Sequence, residues 1–127
     1  MPILAAAEPQ LYVRVLAASL EFYTKTLGFS VAFTYGDPPS YAQVFRDRAR
    51  LNLRQVDEPV MDPARRDRDQ LLAASIALDD ADPLFLEYQK AGVDFFEPLR
   101  TAPWGARTFI VRDPDGNLLL FAGALGK

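Results

Sequence analysis

Arg50, Asn52 and Arg54 stand at two-residue spacing in the run "ARLNLRQ", so in an extended strand all three side chains leave by the same face. Two guanidinium groups beside an amide suit a carboxylate, a phosphate or another anion. The competing expectation is that both pair with Asp or Glu across a sheet or a subunit interface. Glu8 is the candidate anchor for a cationic ligand, although a residue so near a terminus is more often exposed. Stacking chemistry is available from Phe33, Tyr35, Tyr41, Phe45 and Trp104, since a phenol or indole gives large contact area with few rotors to freeze. Some of the first four belong to a core, and alternation within isolated short strands does not say which. Trp104, between Pro103 and Gly105, either faces a ligand or plugs the end of a sheet.

The chain has no cysteine and no histidine. Disulfides, thiolate nucleophiles, Ser-His-Asp triads and imidazole bases are therefore excluded. Metal ligation is left to carboxylate, amide and carbonyl oxygens, which favour hard ions such as magnesium or calcium. A net charge of -3 gives no electrostatic case for nucleic acid. Neither an apolar run of about 18 residues nor a leader-like start is present, so no membrane partner is expected and the expected location is the cytoplasm.

At 127 residues the chain fits one domain that can bury roughly two-thirds of its unfolded surface. Within it one order of elements recurs. Leu11 to Val15 reads as a strand, Ala17 to Leu27 as an amphipathic helix closed by Gly28, and runs near 30–36, 40–46 and 49–55 as strands. Then Ala73 to Leu78 reads as a strand, Asp80 to Ala91 as a helix closed by Gly92, and strands follow near 94–98, 106–112 and 117–122. Setting Gly28 on Gly92 also sets Leu20 on Leu84 and Phe22 on Leu86, an offset of 64 residues that predicts a duplicated βαβββ module. The modules fall at about 8–56 and about 71–124 of a single domain spanning 1–127. The charged, proline-containing segment between them, about 57–70, reads as a solvated linker loop. In the last hairpin, "FIVRDPDGNLLLFA", proline pre-sets φ and Gly116 permits the positive φ of the turn.

Period-two alternation sorts the strands into two faces. Leu11, Val13, Val15, Leu51, Leu53, Ala74, Ile76, Leu78, Leu119 and Phe121 form an apolar set suited to lie under two helices. The opposite set is mixed: Glu8, Gln10, Tyr12 and Arg14, then Arg50, Asn52 and Arg54, then Ala73, Ser75 and Ala77, then Leu118, Leu120 and Ala122. A sheet with helices on one side and an uncovered side is a natural place for a ligand.

In "LYVRVLAASLEFYTKTLGF" and "PWGARTFIVRDPDGNLLLF" the chain, from about Glu8 to Ala122, resembles the vicinal oxygen chelate superfamily of glyoxalase I, extradiol dioxygenases, fosfomycin resistance enzymes and bleomycin resistance proteins. The resemblance implies an α+β fold of two tandem modules, a curved, half-open mixed sheet with helices on its outer face. It also implies a homodimer with cavities at or near the interface. Enzymes of that family hold a divalent metal with four side chains. The flanking motifs place those positions on Glu8, Asn52, Ala73 and Leu120, where the metal enzymes use His and Glu. One carboxylate and one amide leave most of a coordination sphere to water, so neither metal, other cofactor nor catalytic residue is expected.

The pattern, including the loop "APWGAR", most resembles the bleomycin resistance proteins, which sequester a drug at a dimer interface without metal or turnover. That resemblance implies antibiotic resistance by binding of a partly aromatic small molecule among Glu8, Tyr12, Phe33, Tyr35, Tyr41, Phe45, Arg50, Asn52, Arg54, Ser75, Trp104 and Leu120. Arg50 and Arg54 cut against a simple copy, because the ligands of those proteins are cationic. Two alternatives stand beside it. A metal-independent enzyme of lyase or isomerase type would use Glu8 with Asp or Tyr groups as acid and base, and would show a strongly raised carboxylate pKa inside the cup. An interaction module with a vestigial cup would fill that cavity with its own side chains.

Overall fold

A computed structural model describes residues 1–123. The first module runs β1 (Gln10–Val13), α1 (Leu16–Glu21), a π-helical turn (Phe22–Thr26), β2 (Ser30–Tyr35), β3 (Tyr41–Arg46) and β4 (Ala49–Gln55). After α2 (Pro63–Asp69) the second module runs β5 (Leu72–Ala77), α3 (Ala81–Lys90), β6 (Phe95–Thr101), β7 (Arg107–Arg112) and β8 (Leu118–Ala122). The fold is α+β. Each module forms a four-stranded mixed sheet, ordered β1-β4-β3-β2 and β5-β8-β7-β6, in which the first and last strands of the module pair in parallel. The expected βαβββ order is present twice, and the expected end of the second module at residue 124 lies outside the described residues.

The repeat is exact at the helix exits. Gly28 and Gly92 both sit at positive φ, 80° and 78°, the left-handed closure that a residue with a Cβ resists. At the helix starts, however, Leu16 corresponds to Ala81, one residue out of step with the glycine offset. The π-helical turn absorbs the difference: the first module spends six α-helical and five π-helical residues where α3 spends ten. A single inserted residue is how such turns arise.

Alternation places the core as expected. Leu11, Val13, Leu51, Leu53, Leu119 and Phe121 are at most 2% exposed, and they join Tyr23, Leu27, Tyr88 and Phe109 in one cluster that spans both modules. Burying each such side chain contributes about 1.5–3 kcal/mol. Val15 departs from the expectation at 57% exposed, because β1 ends at Val13 and Val15 is the residue before α1, where the period changes from two to 3.6. The linker is likewise not a bare loop. It carries α2, begun by Pro63 at its first turn and held by Arg112 donating to Asp67 and Arg66 donating to the Asp115 carbonyl. None of its residues is buried, so no apolar period could announce it.

Polar contacts tie the modules, among them three that involve the helices. The buried Tyr88 hydroxyl donates to the Leu27 carbonyl at 2.7 Å, and the Tyr23 hydroxyl to Asp113 at 2.8 Å. Arg46 donates to both carboxylate oxygens of Glu87 at 2.7 and 3.0 Å. Those hydrogen bonds hold the Glu87 carboxyl below its ordinary value of 4.5. A depressed acid contributes stability above its unfolded pKa and loses it as pH falls through the folded one. Glu87→Gln is therefore expected to cost about 0.5–1 kcal/mol at pH 7, discounted for solvent screening, and less as pH falls below 4.5; urea unfolding at pH 7 and in acid measures the difference.

Candidate functional site

The opposite face of the first sheet gathers most of the candidate residues. In β3 the side chains of Ala42 and Val44 turn to the core, so Tyr41, Gln43 and Phe45 turn away from it. By register Tyr35 pairs with Tyr41, Phe33 with Gln43, Gln43 with Asn52, and Phe45 with Arg50, while Tyr12 lies beside Arg54. Phe33, Tyr35, Tyr41, Phe45, Arg50, Asn52, Arg54 and Tyr12 therefore share this open face. The question left by alternation, which of the four aromatics belong to a core, is answered: none does. Phe33 stacks on Tyr41 with ring centroids 6.2 Å apart and planes 26° apart, while Phe33 is 47% and Tyr35 73% exposed. The Tyr41 hydroxyl is fixed by donating to Gln10 at 2.9 Å.

At the centre of the face lies a residue the sequence reading passed over. Gln43 is 9% exposed, and its amide nitrogen donates to Glu8 at 3.0 Å and to Asn52 at 2.9 Å. Its amide oxygen accepts from Arg50 at 3.0 Å, and the Arg50 guanidinium lies 5.3 Å from the Phe45 ring centroid. The signal for Gln43 was available, because it sits between Tyr41 and Phe45 at the same two-residue spacing that picked out Arg50, Asn52 and Arg54.

Ala73, Ser75 and Leu120 belong to the second sheet, where Ser75 pairs with Leu120 and both lie opposite the core-facing Ala74, Leu119 and Phe121. A cleft of about 290 Å³ at the seam of the modules is lined by Gln10 and Tyr12 of β1, Leu72 and Ala73 of β5, and Val60 and Met61 of the linker. Trp104 joins neither group. It stands in the loop between β6 and β7, 67% exposed, so it does not plug the sheet.

The four positions at which the family's enzymes hold metal do not fit a divalent ion. Glu8 and Asn52 spend oxygens on the Gln43 amide, Ala73 offers no donor and Leu120 offers a hydrocarbon. Among the described residues no group of three or more Asp or Glu side chains is placed to hold a metal ion. Burial raises one carboxyl above its ordinary 3.8, that of Asp113, but it lies beneath the β7–β8 turn against Tyr23, away from the open face. No helix among the described residues is long and apolar enough to cross a membrane.

A family model described as the Glyoxalase/Bleomycin resistance protein/Dioxygenase superfamily matches residues 5–121. No curated protein matches the chain significantly. Among solved structures, the bleomycin-binding protein from bleomycin-producing Streptomyces verticillus, complexed with copper(II)-bleomycin, is 26% identical with a TM-score of 0.73, covering 98% of this chain and 99% of its own. A bleomycin resistance determinant encoded on the transposon Tn5 is 21% identical with a TM-score of 0.73, covering 94% and 98%. A glyoxalase-related enzyme from Clostridium phytofermentans is 19% identical with a TM-score of 0.77, covering 98% of each chain. The last two likenesses show the fold alone.

Proposed function

The chain belongs to the Glyoxalase/Bleomycin resistance protein/Dioxygenase superfamily, and from that premise we propose that it is a metal-independent binding protein which sequesters a partly aromatic small molecule. The observation that carries this reading is the exposed aromatic row on the first sheet, Phe33 stacked on Tyr41 with Tyr35 beside them, free of the core. An apolar surface of that kind, left in water, is stabilised by covering it. The likeness to the Streptomyces verticillus bleomycin-binding protein supports binding rather than turnover. In this reading the two modules act as one domain, and a homodimer closes the cup over the open face. The role is resistance to a toxic small molecule in the cytoplasm.

The enzymatic alternative has less to work with. Its sign would be a raised carboxylate inside the cup, whereas the carboxyl that burial raises, Asp113, is committed to a turn. The vestigial-cup alternative would have packed the aromatics away, whereas Phe33 and Tyr35 are exposed and Tyr41 and Phe45 only half-buried. The test is calorimetric titration with bleomycin and a panel of planar aromatic compounds, followed by recovery of the bound compound. Saturable binding with the compound returned unchanged supports the reading; conversion of the compound overturns it in favour of the enzyme.

A further inference from the structure

We infer that the ligand is an anion and that Arg50 takes its negative group. The inference rests on the binding reading above and adds the sign of the charge. Arg50 is exposed but not loose. One of its amino groups donates to Gln43 at 3.0 Å, and its guanidinium carbon lies over the Phe45 ring, 5.3 Å from the centroid, so the fork is held on two sides by the protein. A guanidinium has five donors, and Arg50 makes no other side-chain hydrogen bond and no ion pair among the described residues. A cation held in one geometry with its remaining donors aimed at solvent is pre-organised for a carboxylate, because the ordering cost has been met before the ligand arrives.

The arrangement of Gln43 explains why Arg50 stays unpaired. Glu8, the carboxylate on this face, accepts from the amide nitrogen of Gln43, while Arg50 donates to the amide oxygen. The amide stands between the two charges with each dipole end turned to its partner. Glu8 is thus occupied on one side of Gln43 and Arg50 is presented on the other. Arg54, further along the same face, likewise forms no ion pair among the described residues, so neither arginine pairs with an acid across the sheet. A ligand whose ring covers Phe33 and Tyr41 meets a face with two unpaired cations and one engaged anion. A cationic ligand would add repulsion there.

The test uses three probes on one ring: 2-naphthoate, 2-naphthamide and 2-naphthylmethylammonium, titrated into the full-length protein by calorimetry at low salt. Naphthoate is expected to bind at least about tenfold more tightly than naphthamide, the size of a charge-assisted hydrogen bond, and the ammonium compound more weakly than either. Arg50→Gln is expected to erase the preference for naphthoate with only a small change in melting temperature, since Arg50 is exposed; Arg50→Lys, which keeps the charge but loses the fork, should keep part of it. Equal binding of naphthoate and naphthamide, or tighter binding of the ammonium compound, overturns the anion anchor and leaves aromatic binding standing. A preference that survives Arg50→Gln overturns the assignment to Arg50. Failure of all three probes and of bleomycin to bind removes the binding reading together with this inference.

Discussion

Asp113→Ala is expected to lower stability by about 3 kcal/mol and the melting temperature by about 10 °C. Asp113 is 3% exposed and its carboxylate is saturated: one oxygen accepts from the Asp115 and Asn117 backbone amides, the other from the Tyr23 hydroxyl and the Asn117 side-chain amide. The two backbone bonds shape the turn and can be replaced by water, at modest cost. The Tyr23 hydroxyl cannot, because Tyr23 is fully buried in the core and would keep its donor without a partner. Burial first, and then the charge of Asp113, hold the Tyr23 phenol well above its ordinary 10.0, so it remains a donor throughout the working range. Tyr23→Phe removes the donor together with its need and should cost less, about 1–1.5 kcal/mol. Burial outweighs the hydrogen bonds and holds the Asp113 carboxyl above its ordinary 3.8. A raised acid contributes most below its unfolded pKa and loses that contribution as pH rises through the folded one, so the gap between wild type and Asp113→Ala should narrow from acid to neutral pH. Urea unfolding of both variants across that range checks the magnitude and the sign together.

Phe33→Ala is expected to weaken an aromatic ligand about thirtyfold, roughly 2 kcal/mol, the effect of truncating a central aromatic anchor. The same change should lower stability by no more than about 1 kcal/mol, since its main partner is the Tyr41 ring at 6.2 Å and the side chain is half exposed. This split between affinity and stability separates a binding surface from a core that happens to be exposed. A matched loss in both would mean that Phe33 holds the sheet together. Ligand titration and thermal melting of one preparation read the two quantities side by side.

Much of the fold could be read from the chain because its strands are half-buried. Leu11 and Val13, and Leu51 and Leu53, alternate with polar or aromatic neighbours and lie in the core as the period requires, whereas Leu119 and Phe121 are buried within the all-apolar run 118–122, where Leu118 is buried as well. Where a signal was missing, physical reasons are visible. Val15 follows the apolar alternation, yet the strand has ended and the helix begins at the next residue, and one residue carries no mark of that change. The inserted residue behind the π-helical turn shows only when the two helices are set side by side. α2 is held by ion pairs and a carbonyl contact, which leave no periodic trace. The burial of Asp113 depends on Tyr23, 90 residues away, whereas the turn itself needed only its local Pro and Gly. The open face was legible as a face, but its hub at Gln43 was passed over, and the exposure of Trp104 depends on a loop that no pattern specifies.

In the proposed reading the open face of the first sheet holds an organic ligand without a metal. Thermal denaturation of the protein stripped with a chelator, then scanned against magnesium, manganese, zinc and nickel and against planar aromatic compounds including bleomycin, tests it most directly, because selective binding to the folded state raises the melting temperature. The expected result is a concentration-dependent rise with an aromatic compound that is the same with and without chelator, and no specific rise with any metal. A saturable rise with one divalent metal alone, abolished by Asn52→Ala, would contradict it.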